Sequence, residues 1–119
     1  MPTWDDLTRQ RNANLDLIEN LVANGSKGDL PHECEHHFFA DTLAPLEQLS
    51  EKAEKFRYAV SEIDRGENEN GKAYYYVDVI STVSLDPRII LFDNIRMLEW
   101  AEEYGAEYDG WGAMVNDGT

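Results

Sequence analysis

The chain has 119 residues, 42% of them hydrophobic and 29% charged, which is enough for one modest core and too apolar for a disordered segment. Its charge is extreme, with 24 acidic residues against 10 basic ones and a net −14 at neutral pH. A field of that sign argues against direct binding to nucleic acid or to an anionic membrane surface and favours basic surfaces as partners.

A single cysteine, Cys34, excludes an internal disulfide and fits a reducing compartment. The opening residues, Met1 to Asp6, carry no apolar signal core, and no run approaches the ~18 apolar residues that a membrane span needs. The expectation is one cytoplasmic domain over residues 1–119.

Thr3 and Asp6 have the spacing of a capping box, and Trp4, Leu7, Leu15, Ile18, Leu21 and Val22 recur at helical intervals, interrupted by Arg11 and Asn14. Gly25 is placed to end this first helix, and residues 26–31 form a turn-rich linker. His32 to Phe39 is predicted as a strand of mixed polarity. Asp41 or Thr42 starts a second helix, with Pro45 tolerated in its first turn and Leu43, Leu46, Leu49, Ala53 and Phe56 on one narrow stripe.

Tyr58 to Ile63 reads as a strand, and the polar stretch from Asp64 to Lys72 as a loop with an Asn70-Gly71 hairpin signal. Ala73 to Ile80, rich in tyrosine and β-branched residues, is the clearest strand. Asp86-Pro87 opens a third helix and Gly105 closes it, after which Ala106 to Val115 supplies a last strand broken by Gly110 and Gly112. In the third helix Ile90, Met97, Ala101 and Tyr104 share a face, widened by Leu91, Ile95 and Leu98 on one side and by Ile89 and Trp100 on the other. More than half its circumference is apolar, where a stripe of about 100° would suffice to lie on a sheet. The surplus is expected to receive the first helix, with a partner protein as the alternative.

The predicted order is α-β-α-β-β-α-β. Without the first helix it is βαββαβ, an α+β ferredoxin-like sandwich whose antiparallel sheet carries helices on one face only. The other face is where function is expected.

No chemistry is strongly signalled. His36 and His37 are adjacent in a strand, so they point to opposite faces and cannot readily grip one metal. Glu35, His37 and Asp78 can share a face, but that spacing is common by chance, so no metal site is predicted. Cys34 lies between Glu33 and Glu35, the reverse of the electropositive setting that activates a thiol, and is expected to be buried and structural. The Asn24-Gly25-Ser26-Lys27-Gly28 run resembles a phosphate loop only superficially, because a helix ends there instead of beginning. No catalytic residue and no cofactor is expected.

If Val77 and Val79 face the helices, then Tyr74, Tyr76 and Asp78 face outward with Glu35 and His37. Aromatics among carboxylates suit a protein partner better than RNA, while the simpler reading is that the tyrosines stabilise cross-strand pairs. No Lys or Arg follows Arg96, whereas Glu99, Glu102, Glu103, Glu107, Asp109 and Asp117 do. An exposed aromatic in that region, Trp111, would suit an arginine-rich segment. The partner-binding candidates are therefore Glu35, His37, Tyr74, Tyr76, Asp78 and Trp111.

Three stretches taken together resemble the RraB family, the regulators of ribonuclease E activity. They are Ala23-Asn24-Gly25-Ser26, Glu35-His36-His37-Phe38-Phe39-Ala40-Asp41 and Tyr104-Gly105-Ala106-Glu107-Tyr108-Asp109-Gly110-Trp111-Gly112, and the likeness runs from about Leu7 to Met114. The resemblance implies a ferredoxin-like fold and a non-catalytic inhibitor that binds ribonuclease E at its basic scaffold region. Arg57 departs from the family pattern, standing where many members have glycine. The rival reading is an acidic immunity or antitoxin protein that blocks a basic toxin or nuclease by charge mimicry.

Overall fold

A computed structural model describes residues 2–119. Helix α1 (Trp4–Ala23) begins at a complete capping box: the Thr3 hydroxyl accepts from the Asp6 N–H at 3.1 Å, and the Asp6 carboxylate accepts from the Thr3 N–H at 2.9 Å. Strand β1 (His32–Ala40) leads into α2 (Leu43–Lys55), the short strands β2 (Ala59–Val60) and β3 (Asp64–Glu67), and the long strand β4 (Ala73–Val83). Helix α3 (Pro87–Tyr104) starts where the Asp86 carboxylate accepts from the Arg88 N–H, with Pro87 in the first helical position, and β5 (Glu107–Gly112) follows.

All strand pairs are antiparallel, in the order β2-β4-β1-β5, with β3 pairing further along β4 on the β2 side. The β1-α2-β2 and β4-α3-β5 connections each skip one strand, as in a split βαβ unit. The α+β class and the antiparallel sheet are those expected from the sequence.

The polar stretch predicted as a loop contains strand β3, which pairs from Asp64↔Tyr76 to Glu67↔Ala73. An edge strand needs backbone partners more than apolar side chains, so its polarity hid it. The loop shrinks to residues 68–72, where the Asn68 side chain accepts from the N–H groups of Asn70 and Lys72. At the other end, β5 stops at Gly112, short of Val115. Beyond it the Asn116 side chain donates to the Pro31 carbonyl, and its backbone N–H donates to the Ser26 hydroxyl.

One core lies between the sheet and helices α2 and α3, built on Phe38, Leu46, Leu49, Val77, Val79, Met97 and Trp100. A second joins α1 to the rest through Leu21, Cys34, Leu85, Ile90 and Trp111. Helix α1 thus covers part of the surplus apolar face of α3, as predicted. Its apolar stripe is used unevenly, since Trp4, Leu15 and Val22 stay exposed while Asn14 is buried.

All three helices end alike. The N–H of the residue that follows the left-handed position returns to the carbonyl five residues earlier: Ser26 to Leu21, Tyr58 to Ala53 and Ala106 to Ala101. The turn requires a left-handed residue, which is Gly25 (φ 108°) and Gly105 (φ 79°) in two cases and Arg57 (φ 66°) in the third. A side chain in that conformation costs roughly 1–2 kcal/mol. A Cβ at Gly105 would meet nothing within 4 Å, so Gly105→Ala is expected to lose only this backbone term, about 1 kcal/mol, in chemical denaturation. Arg57→Gly is expected to gain up to about 1 kcal/mol, and a loss instead would mean that Arg57 contacts outweigh the strain.

Candidate functional site

Among the described residues, no helix packs on the second face of the sheet. On it Glu33, Glu35, His37 and Phe39 of β1 stand opposite Thr82, Ile80, Asp78 and Tyr76 of β4. The His37 Nδ1–H donates to the Asp78 carboxylate at 2.7 Å, and the imidazole extends over Gly112 of β5. The Tyr74 ring lies across β3 where Gly66 leaves room, since a Cβ there would come within 2.6 Å of the ring. Tyr76, 42% exposed, sits 5.9 Å from Tyr74 between ring centres. Asp64 is in register beside Tyr76 on its other flank. Glu35, His37, Tyr74, Tyr76 and Asp78 therefore share one face, with a tyrosine pair at one end and carboxylates around it. Tyr74 packs on its neighbouring strand, as the cross-strand reading expects, while Tyr76 presents its ring to solvent.

Trp111 does not belong to this face. It is 8% exposed, packs with Leu21, Cys34, Leu85 and Ile90, and its indole N–H donates to Asn14 Oδ1 at 2.7 Å. The reason is a bulge in β5. His36 pairs with Trp111 but Phe38 pairs with Tyr108, so one extra residue enters β5, where Gly110 adopts φ 88°. Strict alternation would put Tyr108 and Trp111 on opposite faces, and the extra residue turns both inward.

There they join a buried chain of hydrogen bonds. Asn14 Oδ1 also accepts from Gln10 Nε2, and Asn14 Nδ2 donates to Asn94 Oδ1 at 2.6 Å. Asn94 Nδ2 donates to the Tyr108 oxygen at 2.8 Å, so the Tyr108 O–H is left to donate to His36 Nδ1 at 2.7 Å. His36 must then carry its hydrogen on Nε2, which donates to the Ser81 hydroxyl at 3.2 Å. Burial fixes this neutral form by holding the His36 pKa down at about 4, against the opposing pull of Asp93. Burial likewise pushes the Tyr108 hydroxyl well up, and pushes the Cys34 thiol up to about 12 with help from Asp93. Cys34 is a packing residue, and both nitrogens of His36 are occupied.

The sequence reading missed Gln10, Asn14 and Asn94. The only signal for them was a polar residue at a position the apolar periodicity assigns to the core. Among the described residues, no three His, Cys, Asp or Glu side chains are grouped so as to hold a metal ion.

An antiparallel α+β domain with one acidic and aromatic sheet face free of helices, and a buried chain of hydrogen bonds from Asn14 to Ser81 behind it, is the class these observations define. The chain matches the family model described as regulator of ribonuclease activity B over residues 11–113. It is 34% identical over 112 residues to the regulator of ribonuclease activity B of Haemophilus ducreyi, a match covering 94% of this chain and 78% of that protein. It is 33% identical over 117 residues to the one from Escherichia coli K12, covering 98% and 85%, and equally so to the one from Pseudoalteromonas translucida, covering 98% and 100%. The chain belongs to the RraB family. The immunity or antitoxin reading finds no support in these matches.

Two outcomes follow from the buried network. Trp111→Ala is expected to cost about 3–5 kcal/mol in chemical denaturation, the range for a core tryptophan; a change of a few tenths would place the ring on the surface. An unfolded imidazole takes its proton near pH 6.5 and His36 only near 4, so between those values the unfolded chain binds the extra proton. The contribution of His36 is therefore complete above about pH 6.5 and is lost as the pH falls towards 4. Its imidazole resonances are expected to titrate near pH 4, and a midpoint near 6.5 would contradict the buried neutral ring.

Proposed function

We propose that this chain regulates a ribonuclease by binding it and catalyses no reaction itself. The ribonuclease we assign is ribonuclease E, engaged at a basic segment by the uncovered face of the sheet. We further take residues 1–119 to act as one domain in the cytoplasm; no helix among the described residues is long and apolar enough to cross a membrane.

The observation that carries this reading is a tyrosine pair surrounded by carboxylates on an uncovered sheet face of a chain with net −14. Arginine is the side chain such a surface fits best. Its guanidinium can lie on the exposed Tyr76 ring while its N–H groups reach Asp64 or Asp78. Glu33, Glu35 and Glu107 widen the field that draws a basic segment in. Membership of a family named for regulating ribonuclease activity supplies the class of partner.

Binding of the purified chain to ribonuclease E is expected to be tight at low salt and to weaken steeply as salt is added. Tyr76→Ala is expected to weaken it by roughly tenfold, on the scale of a 1–2 kcal/mol contact residue, with the melting temperature unchanged. If Tyr76→Ala and Glu35→Lys both leave binding intact, the sheet face is not the interface. If the chain ignores ribonuclease E and inhibits another ribonuclease, the partner is wrong and the class of function stands.

A further inference from the structure

Two groups of carboxylates stand apart on the helix-free face of the sheet. None of the outward positions of β1 and β4 carries Lys or Arg, and His37 is the only basic side chain among them. It stands midway along the face and engages Asp78. The other carboxylates lie towards the two ends, and among the described residues none of them forms an ion pair. At one end Asp64, Tyr76, Phe39 and Glu107 are in register across four strands, so a carboxylate flanks the two rings on each side. At the other end stand Glu33 and Glu35 of β1.

This second end is hollow. A concavity of about 390 Å³ is lined by Glu33 and Glu35, by Gly112 opposite Glu35, and by Met114 and Val115 of the segment after β5. Met114 is 86% exposed and Val115 44%, so apolar surface stands beside unpaired carboxylates. Among the described residues, no Lys or Arg lines the concavity. Its remaining titratable group, His32, is buried, with its ring nitrogens engaged by the Leu30 carbonyl and the Ser26 hydroxyl. Asn116 ties the segment after β5 to Ser26 and Pro31, which holds the apolar wall in position.

We infer that this concavity is a second anchor point of the face, and that the occupant is an extended protein segment with two cationic side chains four to six positions apart. The inference rests on the reading that the sheet face takes a basic protein segment, and it specifies that segment. One cation lies on the Tyr76 ring beside Asp64. The other lays its aliphatic stem along Met114 and Val115 and brings its charged head to Glu33 and Glu35. Charge complementarity selects this occupant, because both ends offer carboxylates and neither offers Lys or Arg. A nucleic acid, or a second copy of this chain with its net −14, is repelled at both ends. The spacing follows from the strand. Glu35 and Glu33 are four and six residues before Phe39, the partner of Tyr76, which puts the ends about 13–20 Å apart along β1. That exceeds the reach of a charge at physiological salt, about 8 Å, so each end holds its own cation and total charge is not what is read. A segment dense in like charges is extended, and at about 3.3 Å per residue it spans the gap in the same number of positions.

The test is a titration of the intact, isotope-labelled chain, followed by nuclear magnetic resonance, with two glycine-serine peptides of equal length and charge. One carries its two arginines six positions apart and the other two apart. The wider spacing is expected to shift the Met114 methyl and the Tyr76 ring with one common midpoint, and to bind about fivefold more tightly, the scale of one or two exposed ion pairs. Glu33→Gln combined with Met114→Ala is expected to erase that difference. Both side chains are exposed, and Glu33→Gln alone serves if the pair disturbs folding. The proposal is overturned if the two spacings bind equally well, if the advantage survives in the variant, or if the Met114 methyl stays unmoved. Met114 unmoved while Tyr76 shifts would remove the second anchor and leave the proposed interface standing. Both unmoved would remove the two together, so the failures are distinguishable.

Discussion

The structure depends on the amide of Asn14. One buried side chain accepts from the Trp111 indole and from Gln10, and donates to Asn94, so it joins α1 to α3 and β5 at a single point. From Asn94 the chain of bonds continues through Tyr108 and His36 to Ser81, crossing β5 and β1 to reach β4. Hydrophobic burial alone would let α1 slide along the broad apolar surface of α3, because apolar contacts are non-directional. The amide pairing permits one position. A slipped helix would leave Asn14 and Asn94 buried without partners, at roughly 1–3 kcal/mol for each unsatisfied group.

This interior arrangement also determines what the exterior presents. With His36 committed inward to Tyr108 and Ser81, its neighbours Glu35 and His37 must point out on the opposite face. The β5 bulge takes Trp111 inward and leaves Gly112 opposite Glu35, so no bulky side chain from β5 covers that end of the face and the His37 ring can extend over it. The outward residues owe their exposure to the inward residues beside them in sequence. In the stretches by which the chain resembles the family, His36, Phe38, Tyr108 and Trp111 all lie within the packed layers.

Features set by local chemistry were legible in the sequence. The Thr3–Asp6 box, the Asp86-Pro87 start, the Gly105 stop and the β-rich run of β4 each express their conformation within a few residues, and they place the elements correctly. The outward side of β1 and β4 followed from simple alternation, which is why Glu35, His37, Tyr74, Tyr76 and Asp78 came out on one face. Trp111 did not, because a single inserted residue reverses every parity beyond it and no local signal fixes where the insertion falls. Asn14 reads as a flaw in an apolar stripe until its partners Asn94 and Trp111, far away in the chain, are known. Strand β3 was hidden for a similar reason: its place comes from pairing with β4, and its own side chains do not announce it.

Under the proposed function, an acidic face is also a device against the wrong ligand. Any basic segment that this chain could hold is one that RNA could hold too, since both ligands use the same guanidinium and ammonium groups. Binding of the two to one segment is then mutually exclusive by charge, without a catalytic step or a conformational change. In the proposed interaction, the carboxylates that attract the segment would repel the RNA competing for it, so one set of charges would provide affinity and exclusion together. Aromatic rings contribute what charge cannot. A carboxylate interaction fades with salt, whereas a ring under a guanidinium adds contact area at low entropic cost and anchors the register. A face combining tyrosines with carboxylates can therefore discriminate among basic segments by where their arginines fall, which net charge alone could not do.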